Sequence, residues 1–361
     1  MIEKYLEKLN AIMDPNRTRD SEELQRKAAN YEMVHKLPLL MSTYDDMSKE
    51  RYPVFLDWPV YNYGEAYRDP EKMLLNELLP VYEGEIFKDN RVNVIRANYG
   101  VGIIPSLFGC ESAQKDNDLP WVKKVESMED VKKILSKGVP DFNSSLLRKV
   151  NEAQEYFKYK LSQYPNLKKC IYIGLPDVLG PFNLAGTMLG ENLYIYLYSN
   201  VGIIREFLEL LTRTYIDFAL YQKKLIGEPI ETGYYFGCRL SGGIKISEDY
   251  GLAVSPKMYE EFCIPWNEKI AEKFDGFTLV VCEDIEKNRA ASIFKTKGLK
   301  GIIYWSRHIE KLEEIYELAS KKKICVVWFG IIPEKKKSHF PTGVILKYHV
   351  KTLEEAIRAK E

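Results

Sequence analysis

The sequence has few histidines, no net charge and no long apolar run, and each absence excludes a class of protein. Four histidines are too few for a histidine-rich metal centre. Lys and Arg total 52, as do Asp and Glu, so the formal net charge is zero. Proteins that coat nucleic acid or an anionic membrane need a surplus of positive charge, so neither partner is expected. No apolar run approaches the roughly 20 residues that cross a bilayer.

Cysteine is also sparse, and nucleotide-binding motifs are missing. The six cysteines include no CxxC pair, and six thiols in 361 residues do not make a disulfide framework. Free thiols in a reducing cytoplasm are therefore expected. The first residues are charged and helical in pattern, unlike a secretory signal. Neither GxGxxG nor GxxxxGK[ST] occurs, so the sequence predicts no nucleotide site.

Strand and helix patterns alternate along most of the chain. Strands are predicted at residues 92–97, 170–175, 233–236, 243–247, 277–282, 301–305, 324–329 and 343–348. Short strands alternating with longer helices indicate right-handed βα units and a parallel sheet. We therefore predict an α/β fold, a (β/α)₈ TIM barrel that forms a single domain over 1–361 with an N-terminal helical extension over 1–37. An open doubly wound sheet is the alternative, but its first turn would need GxGxxG.

In a barrel, functional side chains follow the carboxyl ends of the strands. The polar residues at these positions are Arg96, Asn98, Tyr99, Asp177, Asn183, Glu248, Asp249, Tyr250, Cys282 and Glu283. We predict that they meet at one mouth. Arg96 would pair with an anionic substrate group there, and Glu248, Asp249 and Tyr250 would be catalytic.

Each of these residues also has a purely structural interpretation. Arg96 would pair with a carboxylate of the protein, Glu248 and Asp249 would cap a turn or helix, and Cys282 would be a small buried apolar group. The acids Glu283 and Asp284 raise the pKa of a neighbouring thiol, which opposes a nucleophilic role. The same acids suit a metal cation, so metal ligation is the more physical function for Cys282.

Six segments occur in a consistent order along the chain. They are Phe55-Leu56-Asp57-Trp58-Pro59, Arg96-Ala97-Asn98-Tyr99-Gly100, Leu119-Pro120-Trp121-Val122, Gly180-Pro181-Phe182-Asn183-Leu184-Ala185, Ser255-Pro256-Lys257-Met258-Tyr259-Glu260-Glu261-Phe262 with Pro265, and Leu353-Glu354-Glu355-Ala356. Together they resemble the uroporphyrinogen decarboxylase superfamily from about residue 38 onward. The resemblance implies a (β/α)₈ barrel with a small-molecule substrate, places Asp57 among the substrate-binding residues, and implies a homodimer.

The decarboxylase branch of the superfamily binds a substrate with many carboxylates, which requires fixed guanidinium groups. At the positions of the family's paired arginines this chain has Ser42 and Asp46. The family's catalytic aspartate falls near Tyr99, and its cleft tyrosine falls near Thr187. These departures favour a smaller carboxylated substrate over a porphyrinogen, with Arg96 as the carboxylate anchor and Tyr99 or Tyr250 as a polar contact.

The second branch consists of cobalamin-linked methyltransferases with a zinc-bound thiol substrate. Cys282 matches the first zinc cysteine, and Val280 stands at the histidine position. The resemblance implies zinc held by Cys282, with Asp249 or Glu283 replacing a missing ligand, and a corrinoid such as methylcobalamin carried by a partner protein. The zinc would act as a Lewis acid on the thiol.

Three hypotheses follow from the sequence. The first is a cytoplasmic corrinoid- and thiol-linked methyltransferase-like enzyme with an incomplete zinc site. The second is a decarboxylase of a carboxylated substrate. The third is a barrel that has lost its catalytic centre and binds a ligand or a partner enzyme.

Overall fold

The computed structural model describes residues 2–45 and 57–360, and in these ranges the chain is a mixture of helices and parallel strands. The sequence-derived segments that include Asp46, Phe55 and Leu56 fall partly outside the described residues. None of the described helices is both long enough and apolar enough to cross a membrane.

The strands of the described residues are β1 (Leu39–Ser42), β2 (Val94–Ile95), β3 (Ser112–Ala113), β4 (Trp121–Val122), β5 (Tyr172–Ile173), β6 (Tyr234–Tyr235), β7 (Cys238–Arg239), β8 (Ile244–Ser247), β9 (Phe277–Val281), β10 (Leu299–Tyr304), β11 (Cys325–Phe329) and β12 (Val344–His349).

The α-helices of the same ranges are α1 (Glu3–Ile12), α2 (Pro15–Ala29), α3 (Tyr63–Arg68), α4 (Pro70–Phe87), α5 (Ile103–Leu107), α6 (Met128–Lys137), α7 (Ser145–Ser162), α8 (Pro165–Cys170), α9 (Pro181–Leu189), α10 (Asn192–Ser199), α11 (Val201–Ile226), α12 (Pro256–Phe262), α13 (Ile264–Lys273), α14 (Lys287–Ile293), α15 (Ile309–Lys322) and α16 (Leu353–Lys360). Short 3₁₀ helices cover Tyr250–Ala253 and Glu334–His339.

Six strands form one parallel sheet in the order β1-β12-β11-β10-β9-β8. The pair β2–β5 is a second, two-stranded parallel sheet. Because every strand pair within each of these two sheets is parallel, the carboxyl ends of the strands in each sheet point in the same direction. The predicted α/β class with a parallel sheet is confirmed, and the large sheet has six strands.

Two backbone hydrogen bonds join segments next to β5 and β2 to the edge strands β8 and β1 of the large sheet. The Gly180 amide, which follows β5, donates to the Ser247 carbonyl at the end of β8 over 3.0 Å. The Asn90 amide, which precedes β2, donates to the Leu39 carbonyl of β1 over 2.9 Å. Segments next to β5 and β2 therefore contact the two edge strands of the large sheet.

The hairpin β6–β7 packs against one face of the large sheet. Its two-residue turn, Phe236-Gly237, has φ values of 51° and 77°, as a type I′ turn requires. The Gly237 carbonyl accepts hydrogen bonds from the Val92 amide (2.8 Å) and from Gln25 Nε2 of α2 (3.0 Å). These bonds hold Phe236 in a left-handed conformation that is unfavourable for an aromatic residue. The hairpin tip therefore has a fixed position.

The two faces of the large sheet pack against different partners. The alternating side chains of Cys325, Val327 and Phe329 in β11 join Tyr235 and Cys238 of the hairpin in one buried cluster. The intervening Val326 and Trp328 belong to the larger core that includes the helices. This separation follows from the period of two along a strand.

Local signals in the sequence place several helix ends correctly. Ser255 caps α12, since its side-chain oxygen accepts a hydrogen bond from the Met258 amide. A proline disfavours the interior of a helix, and α12 ends at Phe262 before α13 begins with Pro265 in its first turn. The predicted N-terminal extension contains α1 and α2, and its status relative to a single domain stays a prediction.

Candidate functional site

A cavity of about 1310 Å³ opens among the segments that follow the parallel strands. Its walls include residues after β1, β2, β5, β10, β11 and β12 together with the hairpin tip. The polar or aromatic residues used below are Glu77, Arg96, Asn98, Asp177, Tyr235, Phe236, Trp305, Phe329 and Lys347. Parallel strands bring these distant stretches of chain to one edge.

Three side chains converge on one oxygen of Asp177 in the cavity wall. A guanidinium nitrogen of Arg96 donates to Asp177 Oδ1 over 2.8 Å, and the Tyr235 hydroxyl donates to the same oxygen over 3.3 Å. Lys245 Nζ lies 3.5 Å away from it. Two basic side chains therefore share one carboxylate, and we call this group the Asp177 cluster.

The environment of the Asp177 cluster shifts the pKa values of its members in a consistent way. Although burial opposes ionisation, Arg96 and Lys245 hold the pKa of Asp177 below its ordinary value. Burial lowers the pKa of Lys245, and Asp177 opposes that shift. The Lys245 ammonium also donates to the Val178 carbonyl (3.1 Å) and to Ser247 Oγ (3.2 Å). Asp177 is thus ionised and Lys245 is held inside the wall.

Four aromatic rings lie under the cations, and we call them the aromatic floor: Tyr235, Phe236, Trp305 and Phe329. The Arg96 guanidinium lies 5.4 Å from the ring centroids of both Tyr235 and Phe236. Lys347 Nζ lies 4.5 Å from the Phe236 centroid and 4.9 Å from the Phe329 centroid. Cations in such positions are attracted by the negative ring faces.

Glu77 of α4 lies beside Arg96 in the same cavity. Its carboxylate accepts the Arg96 backbone amide (3.1 Å) and the Asn98 side-chain amide (3.4 Å). Burial raises the pKa of Glu77, with a partial offset from Arg96. A carboxyl group with a raised pKa keeps its proton to a higher pH, which favours a role as general acid.

Cys282 lies near the Asp177 cluster, next to Asp249. The Cys282 amide donates to Asp249 Oδ1 over 2.7 Å. Partial enclosure raises the pKa of the Cys282 thiol, and the Asp249 carboxylate raises it further, with weaker effects from Lys245 and Asp177. The residue as a whole is exposed, as is Glu283 after it. At neutral pH the Cys282 thiol is therefore protonated and a weak nucleophile.

Three other predicted site residues, Glu248, Asn183 and Tyr250, are not among the residues that line the cavity. Glu248 is fully buried, and one carboxyl oxygen accepts a hydrogen bond from Asn267 of α13. Burial raises the pKa of Glu248 to about 8; the hydrogen bond from Asn267 opposes this rise, and the Asp249 charge adds to it. Asn183 is buried, and its side-chain oxygen accepts the Tyr250 amide over 2.7 Å. Asn183 therefore positions the 3₁₀ segment that begins at Tyr250.

The structure places Tyr99 and Asp57 apart from this group. Tyr99 is buried edge-on against Tyr67, with ring centroids 5.1 Å apart. The Asp57 side chain is 87% exposed and lies 3.5 Å from Lys8 of α1. Of the predicted substrate-binding residues, Arg96, Asn98 and Asp177 line the cavity.

The zinc site that the resemblance implies stays a prediction. Catalytic zinc sites use three protein ligands. Among residues 2–45 and 57–360, no three His, Cys, Asp or Glu side chains are grouped closely enough to hold a metal ion. The Cys282 thiol and the Asp249 carboxylate lie together and are two candidate donors.

Sequence reasoning missed Lys245, Tyr235 and Lys347, although all three were within predicted strands. A signal was available, because a lysine inside an otherwise apolar strand is costly unless a partner compensates it. Lys245 lies in Ile244–Ser247, and Lys347 lies in Val344–His349. The same signal was available for Glu77, which is the only charged residue between Met73 and Tyr82 of α4.

The chain was compared with known protein families and curated proteins, and nothing matches. The family expectation therefore depends on the ordered sequence segments, and the candidate site depends on the geometry of the cavity.

Proposed function

We propose that the parallel strands form a closed ring in the order β1-β2-β5-β8-β9-β10-β11-β12, which is the (β/α)₈ barrel that the sequence predicts. The six-stranded sheet supplies six of these strands. The amide of Gly180 bonded to Ser247, and that of Asn90 bonded to Leu39, support closure on either side of β2–β5. The buried hairpin residues Tyr235 and Cys238 would then fill the interior of the ring.

We propose that the protein is an enzyme of the uroporphyrinogen decarboxylase type that removes a carboxyl group from a carboxylated small molecule. The observation that carries this proposal is the position of the Arg96 guanidinium in the cavity wall, paired with Asp177 and lying over the aromatic floor. Arg96 is half-buried there and has donor groups besides the one bonded to Asp177. A planar guanidinium of this kind binds a carboxylate with two parallel hydrogen bonds.

Decarboxylation also requires a cation near the reacting carbon and a proton donor, and the cavity contains a candidate for each. Loss of carbon dioxide breaks a carbon–carbon bond and leaves its electron pair on the substrate carbon, so a nearby cation stabilises the transition state. The carbon then takes up one proton. Glu77 is placed to donate it, since it lies beside Arg96 and burial raises its pKa. Solvent would return the proton to Glu77.

The other expectations from the resemblance stay predictions. Methyl transfer, a corrinoid-carrying partner and a homodimer concern molecules that the described residues do not bear on. A barrel that binds a ligand without turnover is the alternative that the experiment below separates from an enzyme.

The test is release of labelled carbon dioxide from a panel of carboxyl-labelled aromatic and aliphatic acids. The proposal expects release by the wild-type protein and its loss in Arg96→Gln. Arg19→Gln is the matched control, because Arg19 is 74% exposed on α2. Glu77→Gln should lower the rate by about 10²-fold or more, the range for a general acid. Binding of acids without release by any of them would contradict the proposal, as would release that Arg96→Gln leaves unchanged.

A further inference from the structure

The contacts of Asp177 with its neighbours use one oxygen of the carboxylate and leave the other open. The hydrogen bonds from the Arg96 guanidinium and the Tyr235 hydroxyl both end on Asp177 Oδ1, and Lys245 Nζ approaches the same oxygen. None of the described residues donates a hydrogen bond to Asp177 Oδ2. An ionised carboxylate has about four acceptor positions, which are divided between its two oxygens. Asp177 therefore keeps an unused acceptor.

This second oxygen of Asp177 is accessible from the cavity. Asp177 lines the cavity, and its side chain keeps 16% of its surface exposed. The buried polar atoms that lack a partner within the described ranges do not include Oδ2, so this oxygen faces open space. The neighbouring Arg96 side chain keeps 17% exposure, and its bond to Asp177 engages one guanidinium nitrogen. The cavity wall therefore has guanidinium donors and a carboxylate acceptor side by side.

The two groups require opposite properties of a bound molecule. The Arg96 guanidinium binds an anionic oxygen. Asp177 is ionised, so an anionic or lone-pair oxygen placed at its Oδ2 would be repelled. A hydroxyl or N–H group at that position instead donates a hydrogen bond to a charged acceptor, which is stronger than a bond between neutral groups. The rings of Tyr235 and Phe236, each 5.4 Å from the guanidinium, provide an apolar surface for the body of the molecule.

We propose that the substrate is an aromatic acid with a hydrogen-bond donor on its ring, whose carboxylate binds Arg96 and whose donor, a hydroxyl or N–H group, binds Asp177 Oδ2. This inference rests on the proposed function, since it takes Arg96 as the carboxylate site. Arg96 and Asp177 are themselves in contact at 2.8 Å, so a single ring that carries both groups can reach both residues. Two anchored groups fix the orientation of the ring in the cavity, which one carboxylate does not.

The test is calorimetric titration of the whole protein with benzoate and with its meta- and para-hydroxy, amino and methoxy derivatives. The hydroxy and amino acids have a donor, whereas the methoxy acids have only an acceptor at the same place. We expect at least one donor-bearing acid to bind about tenfold more tightly than benzoate, as a hydrogen bond to a charged group provides. Its methoxy counterpart should show no such gain. The hydroxy and amino derivatives distinguish the two kinds of donor.

The variant Asp177→Asn should reverse this preference. Its amide oxygen would face the Arg96 and Lys245 cations, so its NH₂ group would take the place of Oδ2 and would donate a hydrogen bond instead of accepting one. We expect the variant to bind the methoxy acid more tightly than the hydroxy acid, a reversal that a general loss of structure does not produce. Asp20→Asn is the control, because Asp20 is 73% exposed on α2. If Asp177→Asn does not fold, the wild-type titrations decide.

The possible results separate this inference from the proposed function. Equal affinity of the wild type for benzoate and for every donor-bearing acid would overturn the inference, as would an equal gain from the methoxy group. An unchanged order of preference in folded Asp177→Asn would overturn the assignment of the donor to Asp177. Benzoate binding that Arg96→Gln removes would in each of these cases still support the carboxylate site. If none of the acids binds to the wild type, both proposals are wrong.

Discussion

We predict that the negative charge of Asp177 stabilises the folded protein at the cavity wall. Its carboxylate compensates Arg96 at 2.8 Å and Lys245 at 3.5 Å. Asp177→Asn keeps the shape of the side chain but leaves two cations close together without a counter-charge. Removing one partner of a buried ion pair costs about 3–5 kcal/mol of unfolding free energy. The Arg96 and Asp177 side chains keep 17% and 16% exposure, so water offsets part of the cost. We expect a loss of about 3 kcal/mol.

The mechanism of this loss is tested by a double-mutant cycle in urea unfolding at neutral pH. Lys245→Met removes one of the two cations. In that background, Asp177→Asn should cost less than in the wild type, with a coupling energy of about 1–2 kcal/mol. The control is Asp57→Asn, since Asp57 is largely exposed beside Lys8 and should change stability by less than about 0.5 kcal/mol. Equal losses for Asp177→Asn in both backgrounds would refute the shared-carboxylate account.

Two further predictions concern Glu248 and Cys282. Because burial raises the pKa of Glu248 from 4.5 to about 8, the contribution of this group to stability is greatest below pH 4.5 and falls as pH rises towards 8. Glu248→Gln should therefore match the wild type near pH 4 and exceed it by at least about 2 kcal/mol at pH 9 in urea unfolding; a gain that is the same at both pH values would show that ionisation is not the cause. Partial enclosure and the Asp249 carboxylate both raise the pKa of the Cys282 thiol. This thiol should therefore react with iodoacetamide at pH 8 more slowly in the folded than in the unfolded protein. Asp249→Asn should speed the folded-state reaction, as read by peptide mass mapping, with buried Cys263 as the unreactive reference; an unchanged rate would contradict the electrostatic part of this account.

The sequence predicts the large elements because their signals are local. The run at Phe277–Val281 is a buried strand because β-branched and aromatic residues pack well on a pleated surface. Ser255 and Pro265 mark the ends of α12 and α13 through capping and the missing proline amide. These effects depend on a few neighbouring residues, so no knowledge of the rest of the chain is required.

Other strands are shorter than predicted, because their ends depend on tertiary contacts. The strand predicted at residues 92–97 is the two-residue β2, since the preceding Val92 amide bonds to Gly237 of the hairpin rather than to a neighbouring strand. Similarly, Cys170 ends helix α8, and β5 covers Tyr172–Ile173. A hydrogen bond between residues far apart in sequence leaves no local pattern.

The sequence predicted part of the candidate site, because the ends of parallel strands show where a residue lies. The rule that functional residues follow strand ends found Arg96 and Asp177, which pair across the cavity. The same rule does not say which way a side chain points. Glu248 follows β8, as predicted, but its carboxyl bonds to Asn267 in the helix layer. The β8 residue whose side chain lies next to Asp177 is Lys245, which is inside the strand and was therefore not selected by the rule.

The most direct test of the central claim is a crystal structure of the protein with benzoate bound. The account predicts that the benzoate carboxylate lies within hydrogen-bonding distance of the Arg96 guanidinium, with the ring on Phe236 and Tyr235. Benzoate bound away from Arg96, while the Arg96–Asp177 pair remains as described, would contradict the claim that this cavity is a carboxylate site.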